Sequence, residues 1–324
     1  MTEATELRCG ACQAPLAAGD RFCEQCGARH ADKEPEAGGC HVCGADSATI
    51  DDDGYCSVCG ARPRSSADRI ELDLVIVAAV SDRGRVHRRN EDAFHLKLAG
   101  ERAVAAVVCD GISTASAGDV AARHAAEAAV AVLAEAIADP ALDARAATLD
   151  AISAAHGAVE QVPWTTRTTR GMPSCTLVSA LWRDGEVVVG SVGDSRAYWI
   201  DSEGTSQLTV DDSWAQEQVA EGLLTMEQAL QDPRCHSITR WIGADGPAGP
   251  PPLVALRPDR PGRLVLCTDG LWNYAASPDE LDALIDALPS GASPAAVARA
   301  LTDTAFARGG RDNITVAVVD IDPS

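Results

Sequence analysis

Acidic residues fall in four short signatures between residues 89 and 313. They are Arg89-Asn90-Glu91-Asp92, Cys109-Asp110-Gly111, Cys267-Thr268-Asp269-Gly270 and Arg311-Asp312-Asn313. Three of them follow or begin an apolar, strand-like run, which places the carboxylates at strand ends. Carboxylate oxygens suit hard divalent cations, and several at one edge of a sheet can hold two cations. Such a site turns water into a nucleophile at neutral pH, so the pattern predicts hydrolytic chemistry.

A second set of metal-binding side chains lies in the first sixty residues. Four C-x-x-C pairs are present, and their members are Cys9, Cys12, Cys23, Cys26, Cys40, Cys43, Cys56 and Cys59. Each pair can direct two thiolates at one cation, and two pairs complete a tetrahedral site. The spacing resembles a tandem, or double, zinc ribbon. It predicts two structural Zn²⁺ ions, because a site closed by four thiolates leaves no open position for catalysis.

The pairing of these cysteines and the use of the ribbons are separate questions. We pair the first four and the last four, and an interleaved arrangement also satisfies the spacing. Four disulfides are the alternative, which an intracellular protein disfavours. Residues 1–62 carry five Lys/Arg against eleven Asp/Glu, a net charge of −6. Nucleic-acid binding is therefore disfavoured, and a protein partner is the expected use of the ribbons.

The bulk composition restricts the class of protein further. The chain has 324 residues, 46% of them hydrophobic, and a formal net charge of −21. This charge argues against binding to nucleic acid or to an anionic membrane surface. Since no long apolar segment or signal-peptide core is visible, we expect a cytoplasmic protein without a membrane span. We predict ribbons over residues 1–62, a linker over 63–70 and a catalytic domain over 71–324.

The acidic signatures need strands and helices to position them. Apolar runs predict strands at 72–80, 93–98, 102–109, 175–183, 186–192, 196–200, 263–267 and 314–321. Helical periodicity pairs 119–138 with 143–161 and 278–288 with 293–308, and a polar helical insertion covers 213–231. Strands in hairpins with helices in pairs indicate an α+β sandwich of antiparallel sheets.

The order of the motifs carries a family resemblance. From about residue 72 to 321 the chain resembles the bacterial type of the metal-dependent protein serine/threonine phosphatases, the protein phosphatase 2C (PPM) family. The shared motifs are Ser81-Asp82-Arg83-Gly84, Asn90-Glu91-Asp92, Asp110-Gly111, Cys175-Thr176, Gly193-Asp194-Ser195-Arg196, Thr268-Asp269-Gly270-Leu271 and Asp312-Asn313-Ile314. The resemblance implies a four-layer α-β-β-α sandwich, with two antiparallel sheets flanked by helix pairs.

The resemblance also implies roles for individual residues. Two Mn²⁺ or Mg²⁺ ions would be held by Glu91, Asp110, the Gly111 carbonyl, Asp269 and Asp312. Asp110 would bridge the two ions, and Asp92 would orient a water bound to one of them. A water or hydroxide bridging the ions would then attack phosphorus in phosphoserine or phosphothreonine.

Two departures from the family pattern concern substrate and metal binding. The Arg that usually grips the phosphate is replaced by His87, so His87 and Arg88 are our candidates for phosphate contact. Arg85 in that role, or a plain surface position for His87, are the alternatives. A third metal is not expected, because Asn273 stands where the family has an Asp and residues 168–173 contain no carboxylate.

Three functions follow from these features. The leading prediction is a protein phosphatase that acts on phosphorylated proteins, opposing a bacterial serine/threonine kinase or acting on that kinase or its substrates. The second is a catalytically weak scaffold that binds phosphoproteins and docks through its ribbons. The third, a ribbon-based nucleic-acid binder with a regulatory phosphatase domain, is disfavoured by the local charge of −6.

Overall fold

The computed structural model describes residues 40, 45–51, 55–61, 68–100, 102–165, 171–247 and 249–323. The chain divides into two compact units, Met1–Arg64 and Ser65–Ser324. In the first unit, Asp46 caps a short 3₁₀ helix, Ser47–Thr49, by accepting from the Ala48 N–H at 2.8 Å. Five of the eight ribbon cysteines lie outside the described residues: Cys9, Cys12, Cys23, Cys26 and Cys43.

The second unit contains two large sheets, and every strand pair in them is antiparallel. The first has the order β1-β2-β13-β12-β8-β9. Its strands are β1 (Arg69–Asp73), β2 (Val77–Asp82), β8 (Arg196–Asp201), β9 (Gly204–Gln207), β12 (Gly262–Cys267) and β13 (Ile314–Ile321). Although β13 comes last in the sequence, it lies between β2 and β12 and bonds to both.

The second sheet has the order β11-β7-β6-β4-β3. Its strands are β3 (Ala93–Ala99), β4 (Ala103–Cys109), β6 (Leu177–Arg183), β7 (Glu186–Val192) and β11 (Leu253–Leu256). A separate two-stranded pair joins β5 (Ser174–Cys175) to β10 (Ile242–Gly243). Both β4 and β6 are buried along nearly their whole length, as expected of strands covered on both faces.

Helices cover the outer face of each sheet. The helices are α1 (Gly118–Ala138), α2 (Ala144–Glu160), α3 (Trp214–Ala220), α4 (Met226–Ala229), α5 (Asp269–Trp272), α6 (Pro278–Asp286) and α7 (Pro294–Ala307). The pair α1 and α2 packs its alanine-rich face on the second sheet, and α7 packs on β2 and β13 of the first. Within the described residues, no helix is long and apolar enough to cross a membrane.

Three apolar layers hold this arrangement together. One lies between α1/α2 and the second sheet, one between the two sheets, and one between the first sheet and α6/α7. Apolar burial on this scale is the dominant stabilising term in a domain of this size. The α+β fold class and the four-layer sandwich predicted from the sequence are therefore confirmed.

Two segments differ in detail from the sequence-based expectation. The run 72–80 is not one strand, because the chain turns at Leu74–Ile76, where Val75 has a φ of 74°. The strand β1 accordingly begins at Arg69, inside the range predicted as linker. The insertion 213–231 is broken into α3 and α4 at Gly222, which has a φ of 71°, and a capping box at Thr225 starts the second helix.

Candidate metal centre

The four acidic signatures meet at one edge of the sandwich. Pairing of Ala93 with Cys109 brings Asp92 beside Asp110, since each lies one residue beyond its strand. In the other sheet, Asp269 follows β12 and Asp312 precedes β13, and these two strands are neighbours. The carboxylates therefore converge because the strands that carry them end at the same edge.

Asp92 is held by two hydroxyl groups from the opposite sheet. Thr268 Oγ1 and Thr315 Oγ1 donate to Asp92 Oδ2 at 2.9 and 2.7 Å. The other oxygen, Oδ1, is buried and has no hydrogen-bond partner among the described residues. Burial raises the pKa of Asp92 to about 7, against the lowering effect of the threonine hydroxyls. A fixed carboxylate with one buried oxygen unpartnered is a group prepared for a cation or for a water bound to one.

Asp110 and Asp269 carry the same electrostatic signature. The pKa of Asp110 is raised well above its usual value, chiefly by burial and to a smaller extent by repulsion from Asp92, Asp269 and Asp312. Burial and then repulsion from Asp312 do the same for Asp269, whose Oδ1 is also buried without a partner in the described part of the chain. Divalent cations would relieve this repulsion and supply the missing partners. Because every atom that could bind a metal here is an oxygen, this set of residues fits Mg²⁺ or Mn²⁺.

Glu91 is placed by both its backbone and its side chain. Its N–H donates to Asn313 Oδ1 at 2.8 Å, and its Oε2 accepts from Ser113 Oγ at 3.0 Å. The Glu91 carbonyl accepts from the Gly111 N–H at 3.1 Å, so the first two signatures are joined directly. The Glu91 side chain is buried, and a buried carboxylate needs a partner such as a bound cation.

Asn313 ties the first signature to the fourth. Besides accepting from Glu91, its Nδ2 donates to the carbonyls of Arg83 and Arg89 at 2.8 and 3.1 Å. The amide is buried and uses both of its polar atoms. Asn313 thus acts as a structural clamp beside Asp312.

Glycine follows two of the proposed ligands because the backbone is too close for any side chain. A Cβ on Gly270 would lie 1.8 Å from the Asn313 carbonyl oxygen. A Cβ on Gly111 would lie 2.5 Å from backbone atoms of Gly118 and 2.6 Å from the Glu91 carbonyl oxygen. The Asp-Gly pairs of the sequence are therefore places where neighbouring signatures interlock through their backbones.

The two candidates for phosphate contact differ in their surroundings. His87 lies at the site, with its Nε2 3.2 Å from Asp312 Oδ1. Arg88 is exposed on the same turn, and Arg89 forms an exposed ion pair with Asp119 at 3.4 Å. Arg85 stacks over the Phe306 ring, with its guanidinium carbon 4.4 Å from the ring centroid. Phosphate contact by His87 and Arg88 stays a prediction.

Asn273, which replaces an acidic residue of the family, contacts a proposed ligand. Its Nδ2 donates to Asp269 Oδ2 at 3.2 Å. The amide therefore donates a hydrogen bond to the carboxylate, where an Asp would have offered a further anionic oxygen. The absence of a third metal stays a prediction.

Asp194 is a further carboxylate of the site, and its sequence pattern alone does not predict this role. Asp194 is buried, and burial and the nearby Asp211 carboxylate raise its pKa to about 7. Repulsion from Asp194 also contributes to the raised pKa values of Asp110 and Asp269. Asp194 therefore belongs to the acidic cluster. The Gly193-Asp194-Ser195-Arg196 motif was the signal available.

The cysteines beside the ligands are core residues. Cys109 and Cys267 are fully buried at the ends of β4 and β12. Burial raises the pKa of the Cys267 thiol to about 12, and that of Cys109 is raised well above its usual value. Because the thiolate is the reactive form, these groups are poor nucleophiles and poor redox sensors.

A separate group of thiols lies in the first unit. The sulfur atoms of Cys40, Cys56 and Cys59 are all within 4.8 Å of one another, and those of Cys40 and Cys59 are 3.5 Å apart. Gly60, with a φ of 71°, follows Cys59 and donates to the Cys56 carbonyl at 2.7 Å, as in a zinc-knuckle turn. The cluster joins members of the third and fourth cysteine pairs, so it is compatible with one zinc site built by sequential pairing.

Comparison with known proteins identifies the family of the second unit. The model of the protein phosphatase 2C family matches residues 83–304. The chain belongs to the protein phosphatase 2C family. The serine/threonine protein phosphatase PstP of Mycobacterium tuberculosis is 32% identical over 246 residues, which are 75% of this chain and 44% of PstP. The chain thus matches less than half the length of that relative.

Another relative, and a solved structure of the PstP catalytic domain alone, are matched over more of their own length. The serine/threonine phosphatase stp of Listeria welshimeri is 29% identical over 245 residues, 74% of this chain and 93% of the relative. A crystal structure of the PstP catalytic domain with two manganese ions has a TM-score of 0.59 at 30% identity. It covers 78% of this chain and 98% of the solved one.

Proposed function

We propose that this chain is a metal-dependent protein phosphatase that hydrolyses phosphoserine and phosphothreonine on proteins. The observation that carries the proposal is the convergence of Asp92, Asp110 and Asp269, two of which have a buried oxygen without a hydrogen-bond partner among the residues described. Membership of the protein phosphatase 2C family supports the same reaction. Relatives that are named serine/threonine phosphatases support the substrate class.

In this proposal, two Mn²⁺ or Mg²⁺ ions are bound by Glu91, Asp110, the Gly111 carbonyl, Asp269 and Asp312. When bound, they supply the Lewis acidity that makes water nucleophilic near neutral pH and neutralise charge on the phosphoryl group. Asp110 would be a ligand of both ions, which fits its strongly raised pKa and its place directly after β4, beside Asp92.

The remaining residues orient the ligands and the substrate. Thr268 and Thr315 fix Asp92 through one oxygen and leave the other facing the site, where it can accept a proton from water. His87 and Arg88 lie on the turn beside Asp312, so we assign the substrate phosphate to this side of the site. The buried Asn313 keeps the two halves of the site in register.

The test is Mn²⁺-dependent hydrolysis of a phosphothreonine peptide by the wild type, Asp110→Asn and Asp269→Asn. Removing either carboxylate is expected to lower the rate at least about 100-fold, because each change removes a direct ligand. Asp184→Asn is the matched control, since Asp184 lies exposed in the turn between β6 and β7 with a φ of 51°. A wild type no faster than the two ligand variants overturns the proposal.

The replacement of the usual Arg by His87 and of an acidic residue by Asn273 favours a second candidate, a catalytically weak scaffold for phosphoproteins. A single imidazole contact grips phosphate less firmly than a guanidinium fork. A scaffold would bind the phosphothreonine peptide without turning it over. His87→Arg separates the two, because a gain in rate shows an enzyme limited by its phosphate grip.

For the first unit, we propose two structural Zn²⁺ ions and a role in protein docking. The clustering of Cys40, Cys56 and Cys59 supports one of these sites. The natural partner would be a phosphorylated protein, such as a serine/threonine kinase or its substrate. A thiolate-rich site of this kind requires a reducing compartment, which supports a cytoplasmic location. Deleting residues 1–62 is expected to preserve peptide hydrolysis and slow dephosphorylation of a whole protein partner.

A further inference from the structure

A buried ion pair lies behind the turn that carries His87. Arg83 Nε is 3.2 Å from Asp68 Oδ1, and the side chains of Arg83 and Asp68 are each only 4% exposed. The Arg83 N–H also donates to the Asp68 carbonyl at 2.8 Å. Asp68 immediately precedes β1, so the beginning of the first strand is fixed to the turn between β2 and β3.

From this anchor, Arg83 reaches forward to His87. Its Nη1 donates to the His87 carbonyl oxygen. The imidazole of His87 lies in turn against Asp312, with Nε2 3.2 Å from Oδ1. An unbroken series of contacts therefore runs from Asp68 through Arg83 and His87 to a proposed metal ligand.

The turn has little freedom to find another arrangement. A Cβ on Gly84 would lie 2.1 Å from the Asp312 carbonyl oxygen, so the backbones are in direct contact. The Arg83 carbonyl accepts from Asn313 Nδ2 at 2.8 Å, and the Arg85 N–H donates to the Gly310 carbonyl at 2.7 Å. The guanidinium of Arg83 adds the contact that fixes the backbone at His87 itself.

The contact of His87 with Asp312 uses one particular oxygen. Asp312 Oδ1 accepts from the Asn313 N–H at 2.8 Å and lies against His87 Nε2. Two partners on Oδ1 fix the orientation of the Asp312 carboxylate. Residues that orient a ligand in this way commonly change metal affinity about 10- to 100-fold when they are removed.

We propose that Arg83, anchored by Asp68, is a positioning residue that holds His87 against Asp312 and thereby sets the affinity of the Asp312 side of the site for Mn²⁺. The proposal rests on the proposed function, because it assigns Asp312 to a metal. It predicts that Arg83 acts on metal binding only through His87.

The test is a double-mutant cycle of Arg83→Lys and His87→Ala, read by calorimetric titration of the whole protein with Mn²⁺. The lysine introduced by Arg83→Lys keeps a positive charge for the buried Asp68, and its single ammonium cannot also reach the His87 carbonyl. We expect Arg83→Lys to weaken Mn²⁺ binding about 3- to 10-fold and His87→Ala about 10-fold. The double variant should bind no more weakly than His87→Ala alone.

Independent, multiplicative losses in the double variant overturn the proposal, as does an Arg83→Lys protein with wild-type affinity for Mn²⁺. A circular dichroism melt establishes that each variant is folded. If Arg83→Lys is unfolded, the double change Asp68→Leu, Arg83→Met removes both buried charges and takes its place in the cycle. Mn²⁺ binding is measured without substrate. A failure of this proposal, seen as independent effects of the two changes on Mn²⁺ affinity, is therefore distinguishable from a lack of phosphatase activity.

Discussion

The Thr315 hydroxyl donates to Asp92 Oδ2 at 2.7 Å, although the two residues are 223 positions apart in the chain. Thr315 also bonds to Ser81 Oγ at 2.7 Å, so one hydroxyl connects strands β2 and β13 to the first acidic signature. Hydrogen bonds from side chains of the first sheet therefore hold Asp92 in place, in addition to the segment that carries it.

Replacing this hydroxyl is expected to impair the site without disturbing the core. Thr315→Val keeps the shape of the side chain but leaves Asp92 with one donor fewer, so its already raised pKa increases further. We expect the Mn²⁺ concentration for half-maximal phosphopeptide hydrolysis to rise about 10-fold. Thr302→Val is the matched control, because Thr302 is equally buried and bonds within α7 to the Ala298 carbonyl. Equal behaviour of the two variants would contradict the assigned role.

The stability of the metal-free protein should fall as the pH rises. Burial raises the pKa of Asp92 from 3.8 to about 7, and those of Asp110 and Asp269 are also raised. The folded state therefore holds protons that the unfolded chain releases. The stability they contribute is complete below about pH 4 and is lost as the pH rises through about 7. Thermal melts in EDTA should show this decline, and added Mn²⁺ should reverse it.

Asp110→Asn isolates this effect, because an amide at position 110 is neutral at every pH. In EDTA at about pH 8 the variant is expected to melt above the wild type, and near pH 4 the difference should vanish. EDTA acts on the cysteine cluster of both proteins alike, so it cancels from the comparison. Identical melting temperatures across the range would show that the carboxylates do not repel one another as their arrangement implies.

The steric demand at the third signature can be tested with a pair of glycines. Gly270→Ala would push a methyl group into the Asn313 carbonyl, so we expect a loss of stability of about 3 kcal/mol together with weaker Mn²⁺ binding. Gly157→Ala, in the exposed face of α2 with no atom within 4 Å of the added Cβ, should gain about 1 kcal/mol. Urea unfolding of both variants is the measurement, and a stable Gly270→Ala protein would refute the close approach.

The zinc content of the whole protein tests the ribbon interpretation. Mass spectrometry should find about two zinc ions per chain in the wild type and one in Cys56→Ser, since each site needs four thiolates. Cys235→Ser, a change in the second unit, should keep both. A variant lacking both Cys40 and Cys56 should also keep one zinc ion, because these thiols cluster together. Loss of both ions there would favour the interleaved pairing.

The sequence predicted the architecture well because its periodic signals are strong. The alanine-rich helices must pack their apolar faces on a sheet, and the apolar strands must be covered on both faces. Few arrangements of helices and sheets satisfy both requirements. The signatures at strand ends also made the convergence of Asp110 and Asp269 foreseeable, given the family order of motifs.

Other parts of the site could not be read from local patterns. Thr268 and Thr315 look like ordinary strand-forming residues, and only the packing of the two sheets makes them donors to Asp92. The clustering of Asp194 with the ligands likewise depends on distant strands. The break at Val75 is hard to predict because the run has no Gly or Pro and a β-branched residue rarely adopts a positive φ. The signal present was Asp73, whose Oδ1 accepts from the Val75 N–H at 2.9 Å as in an Asx turn.

Because β13 lies in the middle of its sheet, it determines when during synthesis the first sheet can assemble. Its neighbours β2 and β12 are made earlier, but they do not pair with each other and must wait for the strand that separates them. Asp312 and the clamp residue Asn313 arrive with that strand. A nascent chain therefore cannot bring its four acidic signatures together until residues 312–321 have left the ribosome.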